Sequence, residues 1–139
     1  MPAVAAVLPH TDYFMPSIEE ALALSGARDV ESAAAFFLDR GAQACVLTLG
    51  ADGTYYRDRS GAAFRMGAFD IAVKCTCGCG DAFNAGFAVG LVRGFDIEGV
   101  IRFAQATAAL NATGLGSQAG VESFAHTLAF SRSTRMRAA

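Results

Sequence analysis

Residues 78–86 read GCGDAFNAG and lie between an apolar stretch and a long helical pattern. Glycine lets the backbone turn its N–H groups towards one point, and the helix that follows adds the positive end of its dipole. Such a turn is suited to hold a phosphate or a developing anion. Asp81 falls in the first turn of that helix, where a carboxylate could accept a proton from a hydroxyl. The same pattern also fits a plain tight turn in which Asp81 only caps the helix.

Two other glycine-rich turns follow apolar segments, at residues 48–53 and 114–120. The first closes an apolar run with a hydroxyl and two glycines, so a phosphate can approach the backbone. The second is suited to line a flat ligand such as a purine. Each turn alone fits an ordinary connection, but the three together are better explained by a nucleotide. The first turn contributes Thr48, Gly50 and Gly53, and the second contributes three glycines together with Ser117 and Gln118.

Hydrophobic periodicity predicts one α/β domain over residues 1–139. Residues 44–49 form a continuous apolar run, which is typical of a strand buried on both faces of a sheet. Ser17 and Glu20 form a capping-box pattern at the start of the first helix. The predicted helices are 17–24, 30–40, 81–92, 97–112 and 121–129, and the predicted strands are 44–49, 53–57, 62–66 and 69–73.

Composition excludes several classes of partner. Hydrophobic residues make up 53% of the 139 residues and the net charge is −2, which gives no electrostatic reason to expect nucleic acid or an anionic membrane. No window approaches the ~18 apolar residues that cross a bilayer, and the start lacks the pattern of an export signal. We therefore expect a cytoplasmic protein with reduced thiols. The basic residues Arg132, Arg135 and Arg137 predict a solvated, frayed end.

The motifs together resemble those of the ribokinase-like carbohydrate kinases. Residues 78–86 look like the G-x-G-D signature of that family, and residues 41–53 are similar to its strand and nucleotide turn, T-x-G-x-x-G. Residues 101–118 resemble its adenine-side helix and loop, and residues 15–21 resemble its P-N-x-x-E segment. The matches follow the family order across nearly the whole chain. The resemblance implies a ribokinase-like (Rossmann-like) layered sheet flanked by helices.

The resemblance also implies an ATP-dependent sugar kinase that works with magnesium. It makes Asp81 the catalytic base, and the N–H groups of Gly78, Cys79 and Gly80 the anion hole. Glu20 would organise the magnesium ion and its waters. The nucleotide-binding positions that the resemblance implies are Thr48, Gly50, Gly53, Gln105, Gly116 and Ser117.

The sequence departs from the family pattern at its cysteines. The family's D-T-T-G acid, which helps to hold a monovalent cation, falls on Cys75, and the second threonine falls on Cys77. A neutral thiol is a poor ligand for potassium, so the sequence does not support dependence on such a cation. With Cys79 these residues also permit a small metal- or redox-binding module. A fourth ligand at zinc spacing is missing, and we expect free, unmetallated thiols.

A further departure concerns extent, because the chain begins where the second half of the family begins. The N-terminal strands, the lid and the sugar-binding residues have no counterpart. We expect a piece truncated at the N-terminus whose open sheet edges are covered in a homo-oligomer. Ser17 replaces the asparagine of P-N-x-x-E. A non-catalytic nucleotide-binding fragment or scaffold remains the alternative to a kinase, and the sequence does not name the sugar.

Overall fold

The computed structural model describes residues 2–139, which divide into two compact units. The first unit ends at Met66 and the second runs from Gly67 to Ala139. The expectation of a single domain over residues 1–139 stays a prediction.

The first unit contains all the strands. Its elements are α1 (Pro2–Val7), a 3₁₀ turn (Leu8–His10), β1 (Tyr13–Phe14), α2 (Ile18–Ser25), α3 (Val30–Asp39), β2 (Ala44–Thr48), a second 3₁₀ turn (Gly50–Asp52), β3 (Thr54–Asp58) and β4 (Ala63–Met66).

The four strands form one mixed sheet in the order β1-β2-β3-β4. β2 pairs parallel with β1 and antiparallel with β3, and β3 pairs antiparallel with β4. The prediction that the apolar run of β2 is an internal, buried strand is confirmed, because residues 44–47 are buried. β1 was not predicted, since a strand of two residues carries no detectable period.

Helices α2 and α3 bury their apolar sides together with β2. The core of this unit contains Ala21, Ala33, Phe37, Cys45 and Leu47, each fully buried. The predicted capping box of α2 is confirmed: the Glu20 N–H donates to Ser17 Oγ at 3.2 Å, and the Ser17 N–H donates to Glu20 Oε2 at 2.8 Å. α2 therefore begins where the sequence indicates.

The second unit contains the helices α4 (Cys79–Val92), α5 (Ile97–Ala112) and α6 (Phe124–Ser133). α4 and α5 make a close contact at two glycines of α4. A side-chain carbon on Gly86 would lie 2.5 Å from Thr107 Oγ1 and 2.9 Å from Ala104 Cα, and one on Gly90 would lie 3.0 Å from Val100 Cα. At Gly86 a side chain would force the two helices apart, and at Gly90 it would make a tight contact with the backbone of α5. Within residues 2–139, no helix is both long enough and apolar enough for a bilayer span.

Two predictions for this unit are wrong. Residues 69–73 are not a strand: within the described residues only Phe69 pairs, in an isolated antiparallel bridge to Met136. An apolar run predicts a strand, but a strand also needs a paired strand along its whole length. Here only Phe69 has a paired residue. The last helix is residues 124–133 rather than 121–129, because the Ser123 side chain caps it by accepting from the His126 N–H.

The C-terminal segment is held in place rather than frayed, contrary to the expectation from its basic residues. The Arg137 N–H donates to the Ala68 carbonyl at 2.8 Å, and the Arg137 guanidinium pairs with Asp70 at 3.2 Å. The Asp70 N–H in turn donates to the Arg135 carbonyl at 2.9 Å. Backbone pairing with residues 68–70 therefore orders this end of the chain.

Candidate active site

The second unit carries the predicted anion-binding turn, at the start of α4. Gly78 occupies the N-cap position with a left-handed backbone (φ 71°, ψ 8°), which glycine adopts without strain. Helices α2, α3, α5 and α6 each begin with a side chain that accepts from a first-turn N–H, whereas within residues 2–139 no side chain caps α4. The first N–H groups of a helix have no intrahelical acceptor. In α4 the Cys79 N–H donates to the Thr76 carbonyl at 3.2 Å, so the N–H groups of Gly80 and Asp81 are the ones that remain for a ligand or solvent.

Asp81 is the third residue of α4, and it is exposed. The interpretation of Asp81 as a mere cap does not hold, because Gly78 occupies the cap position and no side-chain cap is formed. A carboxylate in the first turn is favoured by the positive end of the helix dipole. Asp81 is thus an exposed acceptor beside an open helix N-terminus.

The glycines around this turn differ in what surrounds them. A side-chain carbon on Gly78 would lie 2.5 Å from Ser117 Cβ and 2.8 Å from Ser117 Cα, so this glycine is required by packing. The same carbon on Gly80 or on Gly116 would meet nothing within 4 Å. The structure therefore brings Gly78 and Ser117 into packing contact, and it leaves open space beside Gly80 and Gly116.

Asn111, near the end of α5, holds the turn before α4 in place by hydrogen bonds. Its side chain is fully buried, and its Nδ2 donates to the Cys77 carbonyl at 2.8 Å and to Cys79 Sγ at 3.5 Å. The N–H groups of Lys74 and Cys75 both donate to the Ala112 carbonyl, at 2.8 and 3.3 Å. Sequence reasoning missed Asn111, although an amide in the apolar pattern at the end of α5 was the available signal.

Cys79 is more engaged in the turn than the sequence indicates. Its N–H donates to the Thr76 carbonyl at 3.2 Å, and its thiol contacts the Ala108 carbonyl at 3.6 Å. To serve an anion, this N–H would have to share or give up its present acceptor. The role of Cys79 in an anion hole stays a prediction, and the open space beside Gly80 favours the Gly80 amide instead.

In the first unit, the predicted nucleotide residues gather where β1 and β2 end. Ser17 forms a parallel bridge to Thr48, and the Thr48 N–H donates to the Pro16 carbonyl at 3.2 Å. This bridge brings Glu20, bound to Ser17 by the capping box, to the same edge as Thr48. Parallel strands present their carboxyl ends at one edge of a sheet, which is a common place for a ligand site.

The two glycines of the neighbouring turn have different surroundings. Gly50 is exposed, and a side-chain carbon there would meet nothing within 4 Å. Gly53 is buried, has φ 93°, and donates its N–H to the Gly50 carbonyl at 3.2 Å. Gly50 therefore has a surface that a phosphate could approach, whereas Gly53 shapes the turn.

Gln105 is not brought to the loop that carries the other predicted adenine residues. Its side chain is only 6% exposed, and it lies seven residues before Ala112, about 10 Å along the helix. Gly116 and Ser117, in contrast, are on an exposed loop. A direct contact between Gln105 and a nucleotide stays a prediction that this burial does not favour.

The residues present fit a magnesium ion that arrives with a nucleotide rather than one held by a protein cage. Within residues 2–139, no group of three or more His, Cys, Asp or Glu side chains is arranged to hold a metal. Magnesium at nucleotide sites usually takes one or two carboxylates together with phosphates and water. Glu20 is exposed, and its Oε2 is used by the helix cap. It could contribute a single outer ligand.

Comparison with known proteins decides the family. The pfkB family carbohydrate kinase pattern matches residues 1–123. This chain belongs to that family. Its sequence is 34% identical over 124 residues to the ribokinase of Haemophilus influenzae, covering 86% of this chain and 40% of that protein.

Solved structures confirm the predicted ribokinase-like fold of this pfkB family chain. The ribokinase of Thermotoga maritima superposes with a TM-score of 0.86 at 29% identity, over 92% of this chain and 44% of that one. A structure from E. coli assigned as ribokinase II, in complex with ATP and Mg²⁺, gives a TM-score of 0.85 at 28% identity, over 94% and 42% of the two chains. The chain therefore spans less than half the length of these relatives.

The different surroundings of Gly78 and Gly80 give a direct test of the site geometry. We expect Gly78→Ala to lower the free energy of unfolding by about 1–3 kcal/mol, because alanine is strained at positive φ and its Cβ meets Ser117. Gly80→Ala should leave stability unchanged or raise it by about 0.4–1 kcal/mol, since alanine suits a helix and nothing obstructs it. Urea unfolding followed by circular dichroism measures both. Equal losses in the two variants would contradict this assignment of roles.

Proposed function

We propose that this chain carries the phosphoryl-transfer centre of an ATP-dependent sugar kinase, with Asp81 as the general base. Membership of the pfkB carbohydrate kinase family supports the reaction class. One structural observation carries the assignment of the residue. Asp81 is exposed in the first turn of α4, a helix whose N-terminus begins on glycine and lacks the side-chain cap that α2, α3, α5 and α6 have.

The proposed reaction begins with a sugar hydroxyl within hydrogen-bond reach of the Asp81 carboxylate. The carboxylate takes the hydroxyl proton as the oxygen attacks the γ-phosphorus of ATP, and ADP leaves. Negative charge on the transferred group is stabilised by the Gly80 N–H and the dipole of α4, where open space beside Gly80 gives access. Gly78 would act mainly by holding the turn against Ser117.

Nucleotide contacts are proposed for each unit by itself. In the first unit, Thr48 and Gly50 at the sheet edge are suited to phosphate oxygens. In the second unit, Gly116 and Ser117 on the exposed loop are suited to a base. Glu20 would order water around magnesium. When bound, magnesium supplies neutralising charge between phosphate oxygens. We place this reaction in the cytoplasm, with a small-molecule sugar as acceptor.

A nucleotide-binding protein without transfer activity is the second candidate. It is favoured by one observation, that the chain spans 40% of the length of the Haemophilus influenzae relative. One measurement distinguishes the two candidates: the kinase forms ADP and sugar phosphate from ATP and one of a panel of sugars, and the binding protein does not.

Replacement of Asp81 tests the proposed base. We expect Asp81→Asn to lower turnover at saturating ATP by about 10²–10⁴-fold, because the amide keeps the shape of the carboxylate but cannot accept the proton. Glu98→Gln is the matched control, since Glu98 is also an exposed acid in the first turn of a helix of the same unit. Both changes remove one favourable interaction with a helix dipole. Near-parental turnover by Asp81→Asn would show that Asp81 is not the general base.

Binding of ATP is tested separately from transfer. We expect calorimetry at millimolar Mg-ATP to detect heat of binding, and we expect Asp81→Asn to retain it because the base acts on the sugar hydroxyl. Gly80→Ala should bind more weakly without loss of stability, because its methyl group fills the open space beside the turn. Absence of heat with a folded sample would refute the nucleotide assignment for this chain.

Association is a further expected property. β1 and β4 are the edges of the sheet, and large apolar side chains are exposed, among them Val73, Val92 and Leu115. Proteins usually cover open edges and apolar patches. We therefore expect sedimentation to detect a homodimer or a higher oligomer. A stable, folded monomer at micromolar concentration would contradict this expectation.

A further inference from the structure

Three donors converge on the sulfur of Cys75. The Cys77 N–H lies 3.2 Å from Cys75 Sγ, and the Cys77 thiol and the Gly116 N–H also donate to this sulfur. One of these amides belongs to the turn before α4, and the other belongs to the loop after α5. Cys75 Sγ is thus a shared acceptor between the two loops of the second unit that contain Gly78 and Ser117.

These contacts shift the pKa values of the two neighbouring thiols in opposite directions. The hydrogen bond from the Cys77 thiol, followed by those from the Gly116 and Cys77 amides, lowers the pKa of Cys75. The hydrogen bond to Cys75 and its negative charge raise the pKa of Cys77. A lower pKa enlarges the fraction of Cys75 that is thiolate, and a higher pKa keeps Cys77 as the thiol that donates to it. A thiolate is the nucleophilic form of cysteine.

Exposure distinguishes this pair from the other cysteines. Cys77 is exposed and Cys75 is partly exposed, so both are accessible to a small molecule in the described chain. Cys45 is fully buried, and burial raises the pKa of its thiol to about 12. The sulfur of Cys79 accepts from Asn111 Nδ2 and contacts the Ala108 carbonyl. Only the first two thiols combine access, mutual contact and a stabilised anion.

We propose that Cys75 and Cys77 form a modification site, a dithiol that a low-molecular-weight disulfide oxidises to an intramolecular disulfide. Residues two apart in the chain have Cα atoms at most about 7 Å apart, and a disulfide spans 4.4–6.8 Å between Cα atoms. The Cys77 backbone nitrogen lies 3.2 Å from Cys75 Sγ, and the two thiols are hydrogen-bond neighbours, so the two side chains are close together. No large backbone rearrangement is needed to bring the sulfurs together.

The reaction proceeds by two thiol–disulfide exchanges. The Cys75 thiolate attacks one sulfur of the small disulfide, the S–S bond breaks, and one small thiolate leaves. That thiolate takes the proton of the Cys77 thiol. Cys77 then attacks Cys75 Sγ, a disulfide forms between the two cysteines, and the second small thiolate leaves. The protein loses two electrons, and the small disulfide is reduced to two thiol equivalents.

Oxidation would release the two loops from their shared acceptor. A disulfide sulfur carries no negative charge, so the N–H groups of Cys77 and Gly116 lose a strong acceptor. The next consequence rests on the proposed function. The loop before Gly80 and Asp81 and the loop that contains Ser117 become less ordered, and Mg-ATP binding weakens reversibly. The thiol chemistry itself does not depend on the kinase assignment.

The test uses the reduced 139-residue chain and oxidised glutathione as the probe. After reaction the protein is unfolded, free thiols are alkylated, and peptides are sequenced by mass spectrometry. We expect a Cys75–Cys77 disulfide with no retained glutathione, while Cys45 and Cys79 are alkylated. Cys77→Ser should accumulate glutathione on Cys75, because the resolving thiol is absent. Cys75→Ser should lose the disulfide entirely, and Cys45→Ala, the control, should keep it.

Hydrogen exchange provides a second readout that needs no ATP. We expect the amides of residues 77 and 116 to exchange faster in the oxidised chain and to return to the parental rate after reduction. Three results would overturn the proposal: glutathione retained on Cys75 of the parent chain, a Cys77–Cys79 disulfide in its place, or stoichiometric zinc on the purified thiols. Normal oxidation with no change in Mg-ATP binding would instead count against the proposed nucleotide site.

Discussion

The close contact of α4 with α5 is the constraint on which the candidate site depends. Gly86 and Gly90 are one helical turn apart on the buried face of α4; a side chain on Gly86 would overlap α5, and one on Gly90 would crowd it. Because the two helices pack this closely, the end of α5 lies against the turn that begins α4. Asn111 and the Ala112 carbonyl then bind that turn by hydrogen bonds to its backbone. A helix–helix contact thus determines where the first N–H groups of α4 point.

The site combines positions that are closed by packing with positions that are left open. Gly78 is needed because Ser117 occupies the space of a side chain, whereas Gly80 and Gly116 adjoin empty space. An uncapped helix start is normally a cost to stability, since N-cap side chains contribute about 1 kcal/mol. The other four helices α2, α3, α5 and α6 have such caps. The start of α4 is the exception, and its free N–H groups are left to solvent or to a ligand.

The cysteines give this pfkB family chain a local chemistry of its own. In place of a carboxylate, Cys75 offers a sulfur that accepts hydrogen bonds from both loops of the second unit. A thiolate sulfur can accept hydrogen bonds from backbone N–H groups as a carboxylate oxygen does. Unlike a carboxylate, it can also be oxidised to a disulfide. The position thus links the order of the two loops to the redox state of the surroundings. Cys45 has no such role, because it is buried in the core of the first unit.

The sequence by itself determined the elements whose signals are local. Three features depend on neighbours within a few residues: the glycine-rich turn, the capping box of Ser17 and Glu20, and the apolar run of β2. The structure confirms them. The family match confirms the order of the motifs along the chain. The roles predicted for Asp81 and for the nucleotide-binding residues are not settled in this way and remain proposals.

Only the tertiary structure decided what depends on distant partners. Phe69 pairs with Met136 instead of extending a strand, Asn111 supports the turn from another helix, and Gln105 is buried away from the loop it was grouped with. The contact of Cys75 with the Gly116 amide likewise joins residues forty-one positions apart. Periodicity and motif spacing report the backbone conformation of a segment, but they carry no information on which distant group will meet its polar atoms. For Asn111 that choice follows from how closely α4 and α5 pack.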